Sequence, residues 1–307
     1  MRAERADPLR RSRTVPSRRC GSKPRGPAAH GRRRVPSPAR AGGSVDAHIF
    51  DRDDDGEVVA TELARGPWDP DSCHGGAPAA LLAALVDAAP SLAPMQGVRL
   101  TYELLRPVPL GPLRTSVRIA RDGKRVQVVE ATLTTRDDVD LVRCRALRVR
   151  TGEVALPAGA DADDPPPSPG PDEVRGPRVG TDWGTGFWTA VEVRPVSGTV
   201  LGDPGPGTAW FRLRAGIAPG LETTPLARAA AAADFGNGLA PPLPIDRYLY
   251  LNPDLTVDLH RLPEGPWVGL EARSVAQPHG VGLTTSALSD GRGRIGTALQ
   301  SLFIDAR

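Results

Sequence analysis

The stretch PLARAAAAADFGNG, residues 225–238, predicts a helix of small apolar residues. Thr224 suits the N-cap, and Pro225 fits the first helical position. Asp234, near the end of the stretch, is its only carboxylate. Burying an acid is costly unless the acid has polar partners, so Asp234 is the first candidate for chemistry.

The same layout occurs earlier in the chain, in PAALLAALVDAAP, residues 78–90. Asp87 follows Pro78 at the spacing at which Asp234 follows Pro225. We therefore expect two helices of one kind, separated by an offset of 147 residues.

Strand sequences repeat as well, at an offset of 155 residues. LTYELLRP, residues 100–107, falls on LTVDLHRL, residues 255–262, without a gap. The second copy thus carries eight more residues between helix and strand. Two copies are too few for a solenoid and fit a pseudo-twofold pair.

Alternating apolar residues predict antiparallel strands after each helix. They lie at 97–106, 113–120, 124–135 and 140–151 in the first copy, and at 246–251, 254–261, 267–275, 281–289 and 294–305 in the second. Segments 47–63 and 186–196 each read as a strand that enters its copy. We expect an α+β fold in which each helix lies across the concave face of a curved sheet.

Composition divides the chain into a basic tail (1–46), a first domain (47–152), a linker rich in Pro, Gly and Asp (153–180) and a second domain (181–307). The tail has a net charge of +10 and few apolar residues, so we expect it to be disordered. A nucleic-acid arm and a solvated or non-native extension both remain open. The absence of interleaved aromatic residues disfavours nucleic acid.

Several other classes of protein find little support. No segment is long and apolar enough for a membrane span, and the tail lacks the apolar core of a secretory signal. Three scattered cysteines argue against a disulfide framework and favour a cytoplasmic protein. The acidic segment 51–56 resembles the start of a calcium loop, but no amphipathic helix follows it, so a turn is favoured. We expect no metal or cofactor.

With its two helix-and-sheet units, CHGGAPAALLAAL opening the first helix and AADFGNG ending the second, the chain resembles the acyl-CoA thioesterase II family. That resemblance covers about 47–307 and implies a double hotdog, two tandem domains of a long helix wrapped by a curved antiparallel sheet. It also implies hydrolysis of acyl-CoA to free acid and CoA, without a cofactor, and association into homodimers or larger homo-oligomers.

The resemblance further implies a catalytic trio in the second copy, in which an acid, a hydroxyl residue and a Gln hold one water. Position by position, these fall on Asp234, Asn252 and Gln300, where Asn252 departs from the family's Thr or Ser. We name five residues as candidates for substrate binding: Gly75, Gly76, Gly236, Thr256 and Arg261. The glycines could offer amides to an oxyanion, and Arg261 could meet CoA phosphates or form a structural ion pair.

The repeat offers a test of this assignment within the chain. At an offset of 155 residues, Gly97 corresponds to Asn252 and Arg145 to Gln300. Arg145, if it reached Asp87, would form an ion pair with that acid. Only the second copy then offers an acid beside two neutral amides, although neutral drift between the copies would produce the same asymmetry.

Two other functions compete with hydrolysis. The alternative is a non-catalytic acyl-thioester binding protein on the same fold, which the departure at Asn252 favours. A hotdog hydratase would need an Asp–His pair on the helix, and the residues after Asp234 contain no His. His74, beside two glycines, is interpreted as a loop residue.

Overall fold

Residues 47–160, 164–174, 184–198 and 200–307 are described by a computed structural model. The tail at 1–46 lies outside these residues, as do parts of the linker. Where the linker is described, it contains neither helix nor strand. The domain boundaries given above therefore remain predictions.

Helix α1 spans Gly76–Ala88 and is followed by four long strands. They are β3 (Met95–Leu104), β4 (Gly111–Arg121), β5 (Val126–Thr134) and β6 (Asp140–Arg150). Before α1, the chain forms a short hairpin of β1 (Phe50–Arg52) and β2 (Val58–Ala60) and then a 3-10 turn at Glu62–Ala64.

The second half repeats this plan around helix α3, Pro225–Ala233. Ahead of α3 come α2 (Phe187–Ala190), β7 (Val191–Ser197) and β8 (Gly207–Leu213), and after it α4 (Gly236–Leu239), β9 (Tyr248–Leu251), β10 (Asp254–Leu259), β11 (Val268–Ala276), β12 (Val281–Asp290) and β13 (Gly293–Ala306).

The strand order confirms the double hotdog. The strands form one sheet in the order β1-β2-β4-β5-β6-β3-β10-β13-β12-β11-β8-β7, with β9 paired to β13. Read inward from either end, the two halves have the same order. β3 and β10 meet at the centre, where Thr101 lies opposite Thr256, its equivalent at an offset of 155 residues. A pseudo-twofold axis therefore passes between these two threonines.

Helices α1 and α3 pack antiparallel inside this sheet. A Cβ on Gly76, at the start of α1, would lie 2.9 Å from the carbonyl oxygen of Ala231, near the end of α3. At the opposite end, the hydroxyl of Thr224 lies close enough to Asp87 to lower the pKa of its carboxyl. Nearly all alanines of both helices are buried, since small side chains let the helices approach closely.

Two of the expected strands were wrong in detail. Segment 47–63 forms the β1–β2 hairpin instead, because Asp53 accepts hydrogen bonds from the backbone amides of Asp55 and Glu57 and closes an acidic turn. Segment 186–196 begins as the helical turn α2, which the hydroxyl of Thr189 stabilises by bonding to the Gly186 backbone, and only then becomes β7.

The N-cap of α3 gives a first testable prediction. Thr224 accepts a hydrogen bond from the Ala227 amide, at 3.2 Å, as the sequence predicts. Replacing Thr224 by Ala removes this cap, so we expect the free energy of unfolding to fall by about 1–2 kcal/mol. Urea denaturation should detect the loss, whereas Thr223→Ala, which leaves the cap intact, should change little. Equal losses in the two variants would contradict the capping role.

Candidate active site

Asp234 lies where the two helices meet. It is the C-cap of α3, and only 4% of its side chain is exposed. The N-terminus of α1 lies directly against it, because a Cβ on Gly75 would come within 2.7 Å of Asp234 Oδ2. The acid therefore ends its own helix but faces the positive end of the partner helix, which favours a negative charge.

Three amide side chains form a hydrogen-bonded cluster around this carboxylate. Asn252 Nδ2 donates to Asp234 Oδ1 at 2.9 Å, and Gln300 Nε2 lies 3.5 Å from the same oxygen. Asn237 joins the two, since its side chain donates to Asn252 Oδ1 at 3.3 Å and its backbone amide to Gln300 Oε1 at 3.0 Å. The amides thus contact the carboxylate directly, whereas the sequence suggested that they share a water with it.

An imidazole from the first copy completes the cluster. His74 Nδ1 lies 3.1 Å from Asp234 Oδ2 and 3.0 Å from the backbone nitrogen of Gly76. The imidazole ring packs against the rings of Phe187 and Phe235, with centroid distances of 5.0 and 4.6 Å. His74 is therefore packed against the acid rather than free in a loop.

A cavity of about 520 Å³ opens beside the cluster. Its polar end contains Asp234, Asn237, Asn252, His74 and Gly75. The rest of its wall is largely apolar and includes Pro78, Leu104, Val108, Val142, Leu249 and Phe303. The size and the mixture of a few polar groups with an apolar wall suit a small-molecule site.

A second, smaller cavity lies next to the same acid. Its volume is about 30 Å³, and its polar lining comes from His74, Asp234 and Asn237. A cavity of this size is large enough to hold a water molecule. The site therefore offers space for one water in contact with the carboxylate.

The predicted counterpart of Gln300 in the first copy was wrong. Thr101 pairs with Arg145, but Thr256 pairs with Leu299, so the true equivalent of Gln300 is Ala146. The gapless comparison failed because the hairpin between β12 and β13 is one residue shorter than that between β5 and β6. The Arg145 side chain is exposed and forms an ion pair with Glu130, instead of the ion pair with Asp87 that the sequence suggested.

With the register corrected, the asymmetry between the copies is larger than the sequence suggested. Gln300 and its neighbours Thr284 and Ser286 are all buried in the second copy. Their equivalents in the first copy are Ala146, Val129 and Ala131, which are also buried but apolar. At these three positions the inner face of the sheet is polar in the second copy and apolar in the first.

Asp87 lies in different surroundings from its equivalent Asp234. Burial raises the pKa of the Asp87 carboxyl, against the opposing effects of the Thr224 hydroxyl and the charge of Arg148. Arg148 itself bonds to the Gln127 side chain and to a backbone carbonyl. The arginine near Asp87 is therefore Arg148 and not Arg145.

The five candidates for substrate binding separate in the structure. Gly75 lines the cavity, and Gly76 is buried at the start of α1. Gly236 lies under Gln300, since a Cβ there would come within 2.6 Å of Gln300 Oε1. Thr256 is held on the pseudo-twofold axis by its pairing with Thr101, outside the cavity lining.

Arg261, the fifth candidate, is used within the protein. Its guanidinium forms a two-bond ion pair with the buried carboxylate of Asp290 and donates to the Gly293 carbonyl at 3.0 Å. Burial disfavours the charge of Asp290, but Arg261 and the amides of Glu264 and Arg292 outweigh it and lower the pKa of Asp290 to about 2. The structural ion pair, one of the two readings of Arg261, is the one found.

Sequence reasoning missed two members of the cluster, Asn237 and His74. Asn237 lies three residues after Asp234, on α4, within the extra residues of the second copy. His74 belongs to the other copy, so only the packing of α1 against α3 brings it to the acid. A signal existed for Asn237, since a polar side chain between two glycines interrupts an otherwise apolar run.

Among the described residues, no group of three or more His, Cys, Asp or Glu side chains is placed to hold a metal, and no helix has the length and apolar character to cross a membrane.

Sequence models of two known protein domains match most of the chain. A sequence model of the acyl-CoA thioesterase N-terminal domain matches residues 64–150, and one of the acyl-CoA thioesterase C-terminal domain matches residues 161–304. The chain belongs to the acyl-CoA thioesterase family. Its enzyme class is that of the thioester hydrolases. No curated protein matches the sequence closely enough to count as a relative.

Solved structures agree with this thioesterase fold. A protein from Thermobifida fusca, provisionally assigned as a thioesterase II, has a TM-score of 0.64 and 19% identity over 84% of this chain and 96% of its own. A hot dog protein of unknown function from Alicyclobacillus acidocaldarius has a TM-score of 0.61 and 18% identity over 85% and 97%. An acyl-CoA thioesterase II from Mycobacterium marinum has a TM-score of 0.55 and 16% identity over 80% and 98%.

The Arg261–Asp290 pair gives a second prediction for this thioesterase. Arg261→Met leaves a buried carboxylate unpaired, so the free energy of unfolding at pH 7 should fall by about 3 kcal/mol. Because the folded protein lowers the pKa of Asp290 from 3.8 to about 2, the ionised pair stabilises the fold above pH 3.8. That contribution is lost as the pH falls through 2, so wild type and variant should converge there.

Denaturation at several pH values, together with KM for an acyl-CoA, checks this prediction. KM should stay near the wild-type value, since Arg261 lies outside the cavity lining. A large rise in KM with unchanged stability would contradict the structural role and indicate contact with the substrate.

Proposed function

We propose that this protein hydrolyses acyl-CoA thioesters to free acid and CoA at the Asp234 cluster. The observation that carries the proposal is a buried carboxylate, held by Asn252 at 2.9 Å, at the polar end of a largely apolar cavity. An acyl chain would lie along the apolar wall, with its thioester carbonyl near the acid. Arg106, on the rim of the cavity, offers a positive charge to the CoA phosphates.

Asp234 is the general base in this scheme. A water beside Asp234 gives up a proton to the carboxylate while its oxygen bonds to the thioester carbon. The tetrahedral intermediate then expels the CoA thiolate by breaking the C–S bond, and the proton passes to the sulfur. A positioned base is typically worth about 10²–10⁴ in rate.

The amides keep the base in place. Asn252 and Gln300 donate to the carboxylate, and Asn237 holds both amides in one orientation. A side-chain amide can donate where the family's hydroxyl residue donates, which supports activity despite the departure at Asn252. Among the candidate glycines, Gly75 lines the cavity, and in this scheme its amide donates to the oxyanion.

The setting of the reaction is also a proposal. Acyl-CoA hydrolysis would place the protein in fatty acid metabolism, and the scattered cysteines favour the cytoplasm. Association into a homodimer or a larger homo-oligomer stays a prediction from the family resemblance.

Asp234→Asn is the test of the base, and Asp87→Asn is its matched control. The two acids occupy equivalent helix ends, but only Asp234 has the amide cluster. We expect Asp234→Asn to lower kcat by about 10²–10⁴ and Asp87→Asn to leave kcat near wild type. Release of free thiol from a panel of acyl-CoAs measures both.

Equal rates in the wild type and Asp234→Asn would reject the assignment. Saturable acyl-CoA binding without turnover in the wild type would favour the alternative, a non-catalytic binding protein.

Asn252 gives a further prediction, because the family residue at this position is a hydroxyl residue. Asn252→Ala removes the donor that lies 2.9 Å from Asp234 Oδ1, so kcat should fall by about 10- to 100-fold. Asn252→Thr restores a donor and should retain most of the activity. If both variants were equally impaired, the amide would have a role that a hydroxyl cannot fill.

A further inference from the structure

We propose that His74 is a positioning residue for hydrolysis, which holds the Asp234 carboxylate in the orientation in which it takes a proton from water. The inference rests on the proposed function, in which Asp234 is the base. It adds a residue from the first copy to a catalytic trio that the sequence placed wholly in the second.

The two oxygens of Asp234 are contacted by residues from different copies. Oδ1 accepts from Asn252, on the second copy, at 2.9 Å. Oδ2 lies 3.1 Å from His74 Nδ1, on the first copy. Both His74 and Asp234 are largely removed from solvent, with 13% and 4% of their side chains exposed. A hydrogen bond between them is therefore little weakened by competing water.

The His74 ring has little freedom to turn away. It packs against Phe187 and Phe235, with centroid distances of 5.0 and 4.6 Å, and these two rings also stack on each other at 5.7 Å. The backbone brings the ring to the acid without an intervening side chain, because a Cβ on Gly75 would lie 2.7 Å from Asp234 Oδ2. An imidazole ring packed in this way restrains the Asp234 carboxylate that its Nδ1 atom contacts.

Nδ1 can form one in-plane hydrogen bond, either as a donor or as an acceptor, and two neighbouring groups compete for that bond. It can accept from the Gly76 amide at 3.0 Å, or carry a proton and donate it to Asp234 at 3.1 Å. A buried carboxylate facing a nitrogen lone pair costs more than an unpaired amide at the start of a helix, because the group is charged. The form with the proton on Nδ1 is therefore favoured, and it orients the base.

Kinetics of three substitutions test this role. His74→Phe keeps an aromatic ring in the stack but has no nitrogen, and we expect kcat to fall about 100-fold with little change in KM. His74→Asn and His74→Leu are a matched pair of almost the same shape that differ in one donor amide. We expect kcat of His74→Asn to recover to within about tenfold of wild type while that of His74→Leu stays low.

A double substitution separates positioning from an independent role. If His74 acts through Asp234, adding His74→Phe to Asp234→Asn causes no further loss of kcat. Losses that multiply would overturn the inference. His279→Phe, at an exposed turn, is the control for replacing a histidine, and thermal unfolding of each variant identifies changes that act on the fold.

The two proposals can fail separately. If Asp234→Asn is inactive but His74→Phe and His74→Leu keep the wild-type kcat, the inference about His74 is wrong and the assignment of the base stands. If Asp234→Asn keeps its activity, the proposed function at this cluster fails first. If His74→Asn and His74→Leu lose activity equally, the hydrogen bond to Asp234 is not the reason for the loss, and the inference is also overturned.

Discussion

The antiparallel pairing of α1 and α3 determines the environment of both acids. Each helix ends in an Asp that would be unfavourable at its own negative pole, and each Asp lies at the N-terminus of the partner helix. Asp234 lies against Gly75, and Asp87 lies close to Thr224. The helices can approach closely only because glycine and alanine line their contact. These small residues therefore allow each Asp to reach the N-terminus of the other helix.

The two copies have the same fold, but their buried polar side chains differ. The sheet positions that cover the end of α3 hold Gln300, Thr284 and Ser286, while the equivalent positions in the first copy hold only apolar side chains. An amide and two hydroxyls inside a sheet carry a desolvation cost, which the cluster around Asp234 offsets in part by hydrogen bonding. The extra residues of the second copy add α4, and with it Asn237. The hydrolase chemistry of the family can therefore be accommodated at one helix end without matching groups at the other.

Much of the fold could be predicted because its signals are local. The caps of α3, the alternation of the long strands and the spacing of the repeat depend on residues close together in sequence. The contact between Asp234 and Gln300 was predicted from a family resemblance, and the two side chains lie 3.5 Å apart in the fold. The failures have different causes. One residue fewer in a turn shifted the counterpart of Gln300 from Ala146 to Arg145, and His74 could not be found because its partner lies 160 residues away on another element.

The pairing of Thr101 with Thr256 has a consequence for how such a molecule could arise. A strand that meets its own equivalent across an axis is the geometry by which two identical chains associate. Two separate half-length chains could have been joined by this same ladder, and every substitution in them would have altered both clefts at once. In a single fused chain the two clefts can change independently, so one cleft can keep the buried polar groups around Asp234 while the other loses them.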